Sequence, residues 1–295
     1  QTRAQPPGQI QASSPDMTAD RISATFAACK EKGRAAFVGY LMAADPDIET
    51  SYQNLIALQA AGADIIELGA PFTDPMADGA AIQKAAIRAL AAGGSLSVTL
   101  EIARRFRIVN QTTPLIVMGY ANPVHRMGYA AFAKAAAAAG VDGVITVDLP
   151  PEEDAPLRNE LAGLGIAVIR LATPTTTEKR METVANGSSG FVYYVSVAGV
   201  TGAGVGAEAD ISAGVERARR ISKLPVAVGF GVRTPDQAAA FARISDGVVV
   251  GSALVEEVRA AVEQGDPGSS VKRISVVAQS LSNAIASARV KRSVN

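Results

Sequence analysis

Three carboxylates lie within twelve residues, from Glu67 to Asp78, in the stretch GADIIELGAPFTDPMADG, which spans residues 62–79. Glu67 falls inside a short apolar run with the pattern of a strand, and Asp74 and Asp78 follow in the loop after it. Burying a glutamate in an apolar strand is costly unless the side chain has a partner or a function. These acids could therefore supply acid–base chemistry. A structural cluster of ion pairs, which also collects carboxylates, is the alternative interpretation.

Glycine-rich turns follow the last three predicted strands, at residues 199–206, at residues 229–231 and at the pair Gly251-Ser252, which begins a helix. Glycines let backbone N–H groups approach an anion, and the N-terminal end of a helix adds partial positive charge. Together the turns favour a site for the phosphate group of a small ligand, with the long first turn able to close as a lid. A single such turn would be weak support, because tight turns also use glycine for packing.

Several common kinds of catalytic site lack their residues in this sequence. The only histidine is His125, predicted to lie in a surface loop, which disfavours a histidine-based zinc site or a Ser-His-Asp triad. No lysine follows a predicted strand, which disfavours a Schiff-base aldolase, and no nucleotide-binding glycine motif is present. The remaining carboxylates, hydroxyls and backbone donors suit proton transfer on a phosphorylated small molecule, with no metal and no cofactor in this chain.

Eight short apolar runs must position these groups, and they alternate with Ala-rich amphipathic helical stretches. The runs cover residues 36–41, 64–68, 115–119, 142–147, 166–171, 190–196, 225–230 and 246–250. Apolar strands joined by helical crossovers predict a parallel sheet covered on its outer face. Eight such units favour a closed (β/α)8 TIM barrel, which keeps its chemistry at the carboxyl ends of the strands. A doubly wound open sheet is the alternative fold.

The amino-acid composition restricts which binding partners and which cellular compartment we expect. The chain carries 28 basic and 28 acidic side chains, so the charge balance gives no reason to expect nucleic acid or an anionic membrane as a partner. No apolar run approaches the ~18 residues of a membrane span. The lone Cys29 excludes an internal disulfide and suggests a reducing, cytoplasmic compartment. We expect residues 1–16 to be disordered, residues 17–288 to form one barrel domain, and residues 289–295 to form a basic tail.

Motifs at the strand ends resemble those of the tryptophan synthase alpha subunit family. The matching segments are ELGAPFTDPMADG and the AIQKA that follows at 81–85, LMAADPD at 41–47, MGYANPV at 118–124, GVDGVITVDLPPEE at 140–153, SVAGVTGA at 196–203, GFGV at 229–232 and VGSALV at 250–255. The resemblance implies a (β/α)8 barrel with an extra N-terminal helix. It also implies cleavage of indole-3-glycerol phosphate to indole and glyceraldehyde 3-phosphate, and pairing with a beta subunit, as alpha2beta2, in which pyridoxal phosphate is bound. A further prediction is an extended C-terminal helix at residues 271–288.

The resemblance also implies roles for individual residues. Glu67 and Asp78 match the catalytic glutamate and aspartate. The residues that match positions around the substrate are Tyr40, Tyr120, Tyr193, Thr201, Gly202, Phe230, Gly231, Gly251 and Ser252. Asp74 matches an acid that faces the beta subunit. Pro71 and Met76 are apolar residues of the same predicted exposed loop, which favours a partner surface there.

The sequence departs from the family pattern at four positions. Gly39 and Ala44 stand where proline and glycine are common, Ala80 where proline is usual, and Val197 where some members have arginine. Ala80 and Val197 leave loop closure and coupling to a partner open. A sugar-phosphate isomerase or epimerase, a stand-alone lyase, and an inactive barrel that only activates a beta subunit remain alternatives. The intact pair Glu67 and Asp78 disfavours the inactive barrel.

Overall fold

Parallel strands form a closed barrel in this computed structural model, which describes residues 18–196, 205–229 and 231–289. The strands are β1 (Ala36–Met42), β2 (Ile65–Gly69), β3 (Leu115–Gly119), β4 (Gly143–Thr146), β5 (Ala167–Val168), β6 (Arg170–Ala172), β7 (Val192–Val195), β8 (Val226–Gly229) and β9 (Gly247–Val250). β1 pairs with both β2 and β9, so the first and last strands are neighbours. The barrel prediction is confirmed, and the open sheet is wrong.

The fifth predicted strand is interrupted at Ile169. Its first part, β5, pairs with β4, and its second part, β6, pairs with β7. The two parts are consecutive in the chain, so together they complete the circle of eight strand positions. Ile169 itself donates its N–H to Val144 O, which continues the pairing across the interruption.

Helices surround the strands and extend the barrel at both ends of the described chain. They are α1 (Thr18–Glu31), α2 (Ile48–Ala60), α3 (Ala80–Ala91), α4 (Leu96–Val109), α5 (Ala121–Met127), α6 (Tyr129–Ala138), α7 (Ala155–Ala162), α8 (Glu178–Ala185), α9 (Val205–Ser222), α10 (Pro235–Ile244), α11 (Ser252–Glu263) and α12 (Ser270–Ser287). α1 and α12 are the predicted N-terminal and C-terminal additions. α5 was not predicted, because Asn122-Pro123 reads as a loop; proline is tolerated in the first turn of a helix. His125 therefore lies on a helix, with its side chain exposed.

The apolar core has an inner and an outer layer, because successive strand residues point to opposite faces. Inside the barrel, side chains such as Ile65, Ile116 and Val249 pack with Ile22, Phe26 and Cys29 of α1. The outer faces of the strands pack against the surrounding helices in two further clusters. α1 thus closes the amino-terminal end of the barrel, and Cys29 is a buried packing residue.

A buried carboxylate ties α1 to the barrel wall. Asp142, which precedes β4, is inaccessible to solvent and forms ion pairs of 2.7 Å with Arg21 and with Arg107. It also accepts the N–H of Leu115 at 2.8 Å. Because these groups satisfy the carboxylate at the end of the barrel opposite the strand carboxyl ends, its role is structural.

The predicted domain boundaries fall at the margins of the described residues. Residues 1–17 and 290–295 lie outside them, including the predicted disordered segment and most of the predicted basic tail. Among the helices that the structure describes, none is by itself long and apolar enough to cross a membrane. Taken together, α3 and α4 have the length and apolar composition of a membrane span, but the two helices are bent by 92° at the break between them.

Candidate active site

A cavity of about 500 Å³ opens at the carboxyl ends of the strands. Its described lining is Tyr40, Glu67, Ala77, Asp78, Gly79, Ala80, Ala81, Ile82, Met118, Val147, Leu171, Thr173, Tyr193, Val195, Gly231, Arg233, Val249, Gly251 and Ser252. Most of these residues are apolar, with a few convergent polar groups, which is the usual character of a site for a small organic ligand. The cavity brings Glu67, Asp78, Tyr40, Tyr193, Gly231, Gly251 and Ser252 together, as the sequence predicts.

Glu67 is the middle residue of β2 and points into the barrel from a wholly buried strand. The side chain is 1 % exposed, and neither carboxylate oxygen has a hydrogen-bond partner among the described residues. Burial raises the pKa of Glu67 to about 8, and the nearby charge of Asp78 raises it as well. A proton held at neutral pH makes Glu67 able to act as an acid first and as a base afterwards.

Asp78 lies at the end of the loop after β2, immediately before the N-cap residue Gly79 of α3. Burial raises the pKa of Asp78 to about 6, and a hydrogen bond with the Tyr120 hydroxyl opposes the rise. The half-buried position of the side chain accounts for the raised pKa. At neutral pH Asp78 is still mainly ionised, so the two carboxylates favour different protonation states.

Tyr120 supports the loop from behind and does not line the cavity, contrary to its predicted place in the pocket wall. Its hydroxyl oxygen accepts the N–H of Ala77 at 3.1 Å, and its ring stacks on Phe72 with centroids 5.2 Å apart. The side chain is 4 % exposed. Tyr120 therefore holds both ends of the segment that carries Asp78.

Two tyrosines from the strands form walls of the cavity. Tyr40 lies opposite Glu67 in the register of β1 and β2, and its phenol fills the space above Gly69. Tyr193 of β7 fills the equivalent space at Gly229. Burial raises the pKa of each phenol well above its usual range, so both remain neutral beside the carboxylates. The two glycines are needed because a side chain would collide with these rings.

The glycine-rich turns after β8 and β9 meet on the same cavity. Gly231 has φ +75°, and the space where a side chain would lie is open. Gly251 is the N-cap of α11, and as a glycine it has no side chain to cap that helix end. The start of α3 also lines the cavity, again without a side-chain cap. These backbone groups could receive an anion.

Sequence reasoning missed Arg233, which also lines the cavity. It follows the Gly229–Gly231 turn by two residues, and its side chain is exposed. A basic residue just after a phosphate-type glycine turn was the available signal.

The remaining strand-end carboxylates have structural partners. Asp45 is buried and forms a bidentate pair with Arg88, at 2.8 and 2.7 Å. Asp148 accepts the N–H of Ala121 at 2.7 Å. Asp74 accepts the hydroxyl of Thr73 and is exposed outside the cavity. Of the described acids, only Glu67 and Asp78 line the site, and neither forms an ion pair within the described part of the chain.

The predicted partner loop is only partly exposed. Met76 is 76 % exposed and Asp74 is exposed, as a partner surface requires. Pro71 is buried and Phe72 is half-buried against Tyr120, so these two cannot contribute a free apolar surface. The exposed part of the loop is therefore the segment around Asp74 and Met76.

Three predicted site residues, Thr201, Gly202 and Phe230, lie outside the described residues, as does Val197. Within the described ranges, no group of three or more His, Cys, Asp or Glu side chains is arranged to hold a metal ion.

A barrel with paired carboxylates of separated pKa and uncapped helix ends at one cavity defines an acid–base enzyme acting on a small anionic ligand. The family described as "Tryptophan synthase alpha chain" matches residues 26–286. The chain therefore belongs to the tryptophan synthase alpha chain family.

Curated relatives agree with this assignment. The tryptophan synthase alpha chain of Caulobacter vibrioides (strain NA1000 / CB15N) is 54% identical over 274 residues, covering 93% of this chain and 99% of that relative. The alpha chain of Phenylobacterium zucineum (strain HLK1) is 54% identical over 273 residues, covering 92% of this chain and 98% of that relative.

Solved structures share the fold. Tryptophan synthase subunit alpha from Legionella pneumophila str. Paris has a TM-score of 0.83 at 38% identity, covering 90% of this chain and 98% of that chain. A tryptophan synthase structure from M. tuberculosis, an open form with BRD0059 bound, has a TM-score of 0.80 at 34% identity, covering 90% of this chain and 98% of that chain.

Proposed function

We propose that this chain cleaves indole-3-glycerol phosphate to indole and glyceraldehyde 3-phosphate, with Glu67 transferring the protons and Asp78 stabilising the ring cation. The alpha chain family consists of indole-3-glycerol-phosphate lyases of tryptophan biosynthesis. The single observation that supports these roles is a buried Glu67 that shares the cavity with Asp78 and has no hydrogen-bond partner in the part of the chain that the structure describes. Family membership sets aside the sugar-phosphate isomerase or epimerase.

The first step adds a proton to the indole ring. Protonated Glu67 donates to the ring carbon that carries the glycerol side chain, which places positive charge on the ring nitrogen. Ionised Asp78 accepts the hydrogen bond of the ring N–H and stabilises that charge. A carboxylate fixed beside a developing positive charge stabilises that charge more strongly in a half-buried cavity than it would in water.

The second step breaks the carbon–carbon bond. Glu67, now a carboxylate, takes the proton of the side-chain hydroxyl next to that bond. The hydroxyl carbon becomes the aldehyde of glyceraldehyde 3-phosphate, and the bonding electrons return to the ring, which leaves as neutral indole. Glu67 ends protonated, as it began, so one residue serves as acid and then as base.

The pKa values support this order of events. With a pKa of about 8 for Glu67 and about 6 for Asp78, the required pair of a protonated glutamate and an ionised aspartate predominates near pH 7. The chemistry requires no cofactor in this chain, since pyridoxal phosphate resides in the beta subunit of tryptophan synthase. We place the enzyme in the cytoplasm, as its unpaired buried Cys29 suggests.

A beta subunit is the proposed partner, in an alpha2beta2 assembly. The exposed surface around Asp74 and Met76 would contact it. Phe72 connects that loop to Tyr120 by ring stacking, and Tyr120 is hydrogen-bonded to Asp78. Binding on the loop would therefore change the position of a catalytic carboxylate. By thermodynamic linkage, the partner and the substrate would then change each other's affinity by the same factor.

The deciding experiment is an assay of indole release from indole-3-glycerol phosphate, with and without a purified beta subunit. Cleavage that rises on titration with the beta subunit supports the full proposal. If the chain cleaves the substrate but forms no complex, and the cleavage rate does not change at a saturating concentration of the beta subunit, the chain is a stand-alone lyase. Activation of a beta subunit without any cleavage leaves the inactive barrel, and removes Glu67 and Asp78 from catalysis.

A further inference from the structure

Arg233 brings a positive charge to the cavity. Among the described residues that line it, Arg233 is the only lysine or arginine, and Glu67 and Asp78 are the only acids. A phosphorylated substrate would enter with about two negative charges on its phosphate. Asp78, the ionised one of these two acids at neutral pH, would repel such a ligand, so a cation in the lining favours its binding.

The backbone of Arg233 is fixed by the start of α10. Its N–H donates to the side-chain oxygen of Gln237 at 2.8 Å, and the N–H of Thr234 donates to the same atom at 3.3 Å. Thr234 in turn caps the N–H of Gln237, which completes a capping box. The turn from Gly231 to Thr234 is therefore anchored, and Arg233 leaves it at a defined place beside Gly231.

The guanidinium of Arg233 has no ion pair with any residue in the described ranges. Other cavity-end or core arginines are engaged, as Arg88 is with Asp45 and Arg170 with Asp154. An exposed guanidinium at the mouth of a cavity, without a protein carboxylate, is available to a ligand. Its planar fork suits bidentate binding of a phosphate group.

We propose that Arg233 binds the substrate phosphate and determines the preference for phosphorylated over dephosphorylated ligands. This inference rests on the proposed function, because its substrate carries the phosphate that the backbone groups of Gly231, Gly251 and Ser252 could receive. Those residues supply backbone donors, and Arg233 adds the charge that they lack. Because its side chain is exposed, it also attracts the phosphate before the ring reaches Glu67 and Asp78.

Steady-state kinetics of Arg233→Gln test the proposal. We expect KM for indole-3-glycerol phosphate to rise about tenfold or more, because one charge-assisted hydrogen bond is lost, while kcat changes less than about twofold. The inhibition constant of inorganic phosphate should rise by a similar factor, and the affinity for free indole should not change. The KM and the phosphate inhibition constant of Arg233→Lys should lie between those of the wild type and of Arg233→Gln, because lysine keeps the positive charge but not the planar guanidinium.

Arg243→Gln is the matched control. Arg243 is an exposed arginine in the last turn of the same helix, α10, and it does not line the cavity. The Arg243→Gln substitution removes one positive charge, as Arg233→Gln does, and we expect this control variant to have wild-type kinetics. The dependence of KM on ionic strength should weaken in Arg233→Gln and stay unchanged in Arg243→Gln, since salt screens the lost attraction.

The outcomes separate this inference from the proposed function. An unchanged KM and phosphate inhibition in Arg233→Gln would overturn the role of Arg233, while wild-type cleavage keeps the lyase. A loss confined to kcat would also overturn it. If wild-type protein binds phosphorylated and dephosphorylated substrate equally, the phosphate site fails and the role of Arg233 fails with it. A wild-type chain that cleaves no substrate refutes the proposed function itself.

Discussion

The hydroxyl of Tyr120 is hydrogen-bonded to Asp78 and accepts the N–H of Ala77, the residue before it. One buried phenol on the loop after β3 therefore positions the carboxylate that follows β2. Tyr120 also stacks on Phe72, so the partner loop and the cavity share one support.

Tyr120→Phe should impair catalysis through Asp78. The ring and its stacking are kept, but the hydrogen bond that lowers the pKa of Asp78 is lost, so that pKa should rise. We expect the acid limb of the kcat/KM profile to move to higher pH and kcat to fall about tenfold to a hundredfold, the loss typical of one hydrogen bond to a charged group. A double-mutant cycle with Asp78→Asn should show strong coupling, and additive effects would contradict the positioning role.

Glu67→Gln should keep the fold and substrate binding but lose about 10²–10⁴-fold in cleavage rate, because the amide cannot carry the proton. Single-turnover assays of indole release measure this. Glu160→Gln, which makes the same change at an exposed site on α7, is the control. Turnover near the wild-type rate in Glu67→Gln would remove Glu67 from the mechanism.

The same substitution should change how stability depends on pH. Glu67 has its pKa raised from 4.5 to about 8, so between these values the folded chain holds a proton that the unfolded chain releases. Stability from this group is fully present below pH 4.5 and is lost as pH rises through 8, at ~1.4 kcal/mol per pH unit. Glu67→Gln should therefore gain stability over wild type between pH 5 and 9, measured by urea unfolding. A constant difference would contradict a raised pKa.

The kcat/KM profile of the wild-type chain should be bell-shaped. Activity should fall below about pH 6, where Asp78 takes up a proton, and above about pH 8, where Glu67 loses its proton. The two limbs belong to the pair, because each carboxyl affects the other. A profile that is flat across this range would show that these groups do not control the reaction.

Asp78→Asn should reduce kcat by about 10²–10³-fold with a smaller effect on KM. Asparagine can still accept the ring N–H, but it supplies no negative charge to the developing cation. Separate kcat and KM measurements decide the role. A loss that lies entirely in KM would make Asp78 a binding residue only.

Much of this protein follows from its sequence alone. Apolar runs of five to seven residues, separated by helical stretches, specify parallel strands because only a sheet covered by helices buries them. Glu67 could be singled out because a charged residue in such a run is unfavourable without a function. The glycine turns likewise marked the end of the cavity where we propose that the phosphate binds.

Two departures from the family pattern have local explanations that only the structure provides. A side chain at Gly39 would come within 2.8 Å of Leu58, so the glycine leaves room for a larger neighbour. Ala44 adopts φ 62°, a left-handed conformation that glycine takes more easily. Neither residue lines the cavity.

Tertiary structure alone decided which polar groups belong to the site. Asp45, Asp74 and Asp148 have the same residue type and similar strand-end positions as Asp78, yet hydrogen bonds or ion pairs occupy them elsewhere. Tyr120 was expected in the wall and lies behind it, and Arg233 lines the cavity without having been predicted. Sequence pattern specifies which face of a strand a residue is on, because that depends on local geometry. Which side chains meet depends on how strands distant in sequence are placed side by side, and that is determined only when the barrel closes.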